Sequence, residues 1–85
     1  MQAIAKNRFV LVEFRKQLDI IDLRKKPIAN HCYMFSMDGG KLYLESYNER
    51  TGTLRERILV GHVLGLYVNR EQATIAYAER KFLGK

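Results

Sequence analysis

The chain has 85 residues, 47% of them hydrophobic, with one cysteine and one proline. At this length a single domain with a single core is all that folding can supply, because only about 60 to 65% of the unfolded surface becomes buried; the lone Cys32 excludes an intrachain disulfide, and the apolar runs are too short to span a bilayer. Fifteen Lys and Arg against nine Asp and Glu leave a net charge of +6 and a pI near 9.7, a balance that points to an anionic partner, nucleic acid being the commonest for a basic intracellular domain.

Met1 to Asn7 lacks the apolar segment of a signal peptide, so a soluble, cytoplasmic protein without membrane association is expected. Arg8 to Arg15 follows, apolar on both faces at strand period: Phe9, Leu11 and Glu13 on one, Val10, Val12 and Phe14 on the other. Such a strand lies inside a sheet covered on both sides, or turns one face to a partner chain. Lys16-Gln17 is read as a tight turn, and Leu18 to Leu23 fits a second strand or a short helical turn equally. Arg24, Lys25 and Lys26 then form the densest positive run, ended by Pro27, which disfavours helix at the residue before it.

His31 to Tyr47 reads as a hairpin, since Asp38-Gly39 lies between two alternating runs and a type I′ turn needs positive φ at both central residues. With Asp38-Gly39 as the loop, Phe35 faces Leu42 and Tyr33 faces Leu44 on the core side. Ser36 then faces Lys41, Met34 faces Tyr43 and Cys32 faces Glu45 on the other. A Gly39-Gly40 loop would instead set Phe35 against Leu44 and Met34 against Glu45. Asn48 to Thr53 is a polar turn with Gly52 available for positive φ.

Leu54 to Val68 is the longest strand-like run and the expected centre of the sheet. Strict alternation sends Ile58, Val60, His62, Leu64, Leu66 and Val68 to the core, and Arg57, Leu59, Gly61, Val63, Gly65 and Tyr67 to the opposite face. Its two glycines favour a strongly curved sheet. After it, Asn69 is a helix N-cap with Gln72 three positions on, Glu71 suits the positive end of the helix dipole, Arg80 and Lys81 suit the negative end, and Gly84 can stop the helix. Ile75, Ala78, Phe82 and Leu83 form its apolar stripe, while a continuing strand is the competing reading. The expected fold is therefore mainly β (α+β): a small curved antiparallel sheet or partly open barrel of about four to five strands with a C-terminal helix, as one domain over 1–85.

Catalytic and metal chemistry find little support. His31, Cys32 and His62 are the soft ligands, adjacent strand residues point to opposite faces, and no CxxC, HxH or HExxH spacing recruits more. His62 is read as a core residue, and Ser36 as a surface residue of the hairpin with Lys41 across the turn. No GxxxxGK[ST] or GxGxxG loop is present. No enzyme activity, metal or cofactor is expected. What remains is surface chemistry: Met34, Tyr43, Tyr47 and Lys41 on one hairpin face, beside Arg55, Arg57 and Tyr67 on the non-core side of the central strand. Rings that stack bases and cations that track phosphates suit nucleic acid, single-stranded more than duplex. Arg24, Lys25, Lys26, Lys41, Arg55 and Arg57 are the expected phosphate contacts, and Tyr43 and Tyr47 the expected stacking residues. A non-enzymatic adaptor or inhibitor subunit, docking through Phe9 to Phe14 or Ile75 to Leu83, is the alternative, and a homo-oligomer, a dimer above all, is expected because strands apolar on both faces often bury one against a second copy.

Overall fold

A computed structural model describes residues 7–25 and 33–83. They form five strands and one helix in the order β1 (Phe9–Phe14), β2 (Gln17–Asp22), β3 (Tyr33–Asp38), β4 (Lys41–Tyr47), β5 (Leu54–Tyr67) and α1 (Arg70–Leu83). The sheet is antiparallel throughout, in the order β2-β1-β5-β4-β3, and is not closed. The expected mainly β fold with a C-terminal helix is what is found, and the 14-residue β5 is indeed its central strand. The ambiguous segment after β1 is a strand, and the segment after β5 is a helix.

The structure departs from the sequence reading in four places, three of them through the local geometry of turns and bulges and the fourth through the packing face of the helix. The β3–β4 loop is Gly39-Gly40, with φ of 59° and 76°, so Phe35 pairs with Leu44, Met34 with Glu45 and Ser36 with Tyr43. Two glycines at the two positions that require positive φ outweigh the Asp-Gly preference. The β1–β2 turn is shifted the other way, one residue earlier than expected, at Arg15 and Lys16, which take φ of 53° and 68° without being glycine. In β5 the strict alternation fails because the register slips past Val60 and past Leu64. Each slip is a β-bulge that changes which parity faces the core. Gly61 and Val63 consequently join Val60 on the core side, whereas His62 is exposed on the other face, opposite Lys41. Finally, the stripe Ile75, Phe82 and Leu83 points away from the sheet, and α1 packs through Ala73, which is fully buried, with Ala76 and Tyr77 half-buried beside it.

The core lies on one side of this curled sheet. Val10, Val12 and Leu42 are essentially inaccessible, and Ile21, Leu23, Phe35, Met37, Val60 and Val63 pack against them. The opposite side of β1 and β2 carries Phe9 and Leu11, also buried, under α1. Thus β1 is covered on both faces, as its double apolar pattern requires. Gly61 makes the curl possible, because a Cβ there would stand 2.9 Å from the Glu13 carbonyl oxygen and 3.2 Å from Val12 Cβ. At the far end of β1, Arg8 fixes the strand to β2: its Nε and Nη2 donate to the two oxygens of the buried Asp22 at 3.1 and 3.0 Å, and the Arg24 amide donates to the same carboxylate at 3.0 Å. The Arg8 guanidinium, ahead of the Arg24 amide, holds the Asp22 carboxyl below the usual carboxylate range.

The helix start is capped as its sequence indicates, with Asn69 Oδ1 accepting from the Gln72 amide at 2.8 Å. The polar turn before β5 closes through Asn48, whose carbonyl accepts from the Gly52 amide at 2.8 Å while Gly52 takes φ of 73°.

Gly61→Ala is expected to destabilise the protein by about 1–3 kcal/mol, since the neighbour it meets is backbone, and Leu42→Ala by about 2–5 kcal/mol through the cavity it leaves; urea denaturation measures both, and an unchanged midpoint for Gly61→Ala would show that β1 and β5 do not approach this closely. Asp22 contributes stability fully above the ordinary carboxylate pKa, and this contribution is lost as pH falls through its depressed folded value. Asp22→Asn should therefore be less stable than the wild type at pH 7, with the gap closing in acid; a gap independent of pH would remove the charged pair from the account.

Candidate nucleic-acid interface

On the side of the sheet away from the core, the β3–β4–β5 half is not covered by α1. It brings together four of the expected site residues, Lys41, Tyr43, Tyr47 and Arg57, with Asp38, Glu45 and His62. The arrangement is closed on itself. Arg57 lies over the Tyr43 ring at 4.1 Å from its centroid, while its Nε is 3.1 Å from Glu45 and its Nη2 is 3.4 Å from Asp38. Tyr47 donates its hydroxyl to the other Glu45 oxygen. Together with Arg57, this holds the Glu45 carboxyl below the usual range, and the adjacent carboxylate raises the Tyr47 phenol. Two cations, Lys41 and Arg57, thus face two carboxylates, and the charge available to an incoming phosphate is small. One face of the Tyr43 ring is already taken by a guanidinium.

The other expected contacts are dispersed. Arg24 and Lys25 follow β2 at one edge of the sheet and are exposed. Lys26 lies outside the described residues, as do His31 and Cys32. Arg55 occupies a third bulge in β5, opposite the Ser46–Tyr47 step, and lines a shallow depression with Tyr33, Tyr47 and Arg50 at the far end of the molecule. Tyr67 covers Gly65 on its own strand, its hydroxyl occupying the space a Cβ would need.

A more strongly basic site lies where sequence reading did not place one. The end of the β1–β2 hairpin and the second half of α1 enclose a cleft of about 570 Å³ lined by Glu13, Lys16, Gln17, Leu18, Tyr77, Arg80 and Lys81. Glu13 and Leu18 are cross-strand partners, so both point toward the helix and form its floor. Tyr77 supplies an aromatic wall, with Lys81 Nζ 5.6 Å from its ring centroid. Arg15, the other residue of the turn, stands just outside with its guanidinium 5.1 Å from the Phe14 ring centroid. Three cations against one acid line the cleft, a volume typical of small-ligand sites. Two features in the sequence bear on it: a turn formed by Arg-Lys where Asn-Gly is ordinarily required, and a helix that carries its basic pair one turn beyond a tyrosine. Their meeting could not be read from residues more than sixty positions apart.

Among the described residues there is no group of three or more His, Cys, Asp or Glu side chains that could hold a metal, and no helix long and apolar enough to cross a membrane. Comparison with protein-family models, curated proteins and solved structures yields no match, leaving site geometry as the basis for a functional reading.

The Arg57–Tyr43 contact should appear as a coupling of about 0.5–1 kcal/mol in a double-mutant cycle of Arg57→Ala and Tyr43→Leu followed by urea denaturation. Strict additivity would mean that the ring is free.

Proposed function

We propose that this protein binds single-stranded nucleic acid, without catalysis, and that the cleft between the β1–β2 turn and α1 is the principal contact. Lys16, Arg80 and Lys81 engage phosphates there and Tyr77 stacks a base. The observation that carries this is the density of uncompensated positive charge beside an aromatic ring in one concave site. The strained turn supports it. Left-handed conformation at a residue with a side chain costs about 1 kcal/mol or more, and Arg15 and Lys16 both adopt it. Strain of this kind, kept where glycine or asparagine would relieve it, is often found at functional positions. Arg24, Lys25, Lys41 and Arg55 extend the positive field and steer the polyanion without forming the site itself.

A second reading keeps one specific observation in view. Phe9 to Val12 of β1 are buried, whereas Ile75, Phe82 and Leu83 project from α1 at 54%, 71% and 80% exposure. An apolar protein partner would seat there, and its affinity would hardly change with salt.

Fluorescence anisotropy of labelled mixed-sequence single-stranded 12-mers tests the proposal. Affinity should fall with salt along a log–log slope of about −2, as three neutralised phosphates on a single strand require. Lys16→Glu or Arg80→Glu should weaken binding by about tenfold and make the slope shallower. No binding at low salt would overturn the proposal. Replacing Arg15-Lys16 by Asn-Gly should raise Tm by about 5 °C through relief of strain while weakening binding. A variant that gains stability and keeps full affinity would show that the turn's cations are not used.

A further inference from the structure

Glu13 is the anomaly of the cleft. A carboxylate in a site for a polyanion repels the ligand unless something else compensates, and compensation by the neighbouring lysines and arginine is not what the structure shows. Among the described residues, the ion pairs within 4 Å join Arg8 to Asp22 and Arg57 to Asp38 and Glu45, and none joins Glu13 to Lys16, Arg80 or Lys81. Its side chain is exposed in the cleft that Tyr77 also lines, on the same face of the hairpin as its cross-strand partner Leu18. Both carboxylate oxygens are therefore open to a ligand's N–H groups.

We infer that Glu13 reads the base stacked on Tyr77 and that the cleft selects guanine. This rests on the nucleic-acid reading above and extends it to sequence preference. In single strands the Watson–Crick edge is free to be read by side chains. Guanine presents two adjacent donors on that edge, N1–H and an N2 amino hydrogen, which match the two oxygens of a carboxylate as a bidentate pair. Adenine and cytosine present one amino donor next to a ring-nitrogen acceptor, and uracil presents one N–H between two carbonyls. In each case a carboxylate gains one hydrogen bond and meets an acceptor with its second oxygen. Glu13 thus sets specificity, while Lys16, Arg80 and Lys81 set affinity.

Anisotropy with labelled 12-mers of uridine, in which the two central positions are guanine, adenine or cytosine, tests this without folded guanine-rich structures. The guanine-containing strand should bind at least about tenfold more tightly than the other three. Glu13→Ala, which removes both acceptors without supplying an amide that could itself pair with N1–H and O6, should abolish that preference; circular dichroism checks that the variant is folded. Equal affinity of all four strands, or a guanine preference that survives Glu13→Ala, would overturn the inference while leaving nucleic-acid binding standing. Absence of binding by every strand at low salt would overturn the functional proposal and this inference together.

Discussion

The close approach of β1 and β5 at Gly61 is the constraint on which the rest of the structure depends. Where a side chain would collide with the Glu13 carbonyl and with Val12, the absence of one lets the central strand fold over its neighbour. The bulges at Val60 and Leu64 on either side convert that approach into curvature. Curvature is what allows five strands to bury Val10, Val12 and Leu42 almost completely without a second sheet. It also leaves the other side of β1 and β2 to be covered by a single helix. That helix packs through small residues, Ala73 and Ala76, and through Tyr77, and so lies close enough to the hairpin end to form a cleft with it.

Electrostatically the molecule has two basic surfaces with different fates. On the outer face of the β3–β4–β5 half, Lys41 and Arg57 each have an acid opposite in register: Lys41 across from Asp38, Arg57 across from Glu45. A sheet pairs side chains at short, fixed distances, and charges arranged in this way neutralise each other before any ligand arrives. At the hairpin end the cations come from different elements, the turn and the last helical turn, and converge on a concavity with a single acid. Low net compensation in a concave site raises the local concentration of anions. The left-handed Arg15 and Lys16 are part of that arrangement, since a glycine turn would have the same backbone and no charge.

The element map was largely legible from the residues. The doubly apolar Phe9 to Phe14 run, the glycine-bearing β5, and the Asn69 cap with its Gln72 partner are local signals, and each is expressed locally. The site was less so. His62 was assigned to the core because alternation was carried through Val60 and Leu64, yet a bulge reverses parity by inserting one residue and leaves no composition signature of its own. The stripe Ile75–Phe82 has the right helical period for a packing face, but small alanines fit the shallow surface of the sheet better than large side chains. Tyr43 and Arg57 were correctly placed on one face, and their mutual stacking follows only from the distance between strands.

What the sequence determined by itself was the fold class, the order of elements, the excess of positive charge and the positive φ at Gly52 in the polar turn before β5, because these depend on composition and on interactions within a few residues. Tertiary structure alone decided which cations are spent on neighbouring acids and which are free, which side of β5 faces the core, and that Glu13, Lys16, Tyr77, Arg80 and Lys81 line one cleft. Such questions turn on distances between side chains far apart in the chain, and those distances exist only once the sheet has curled and the helix has docked on it.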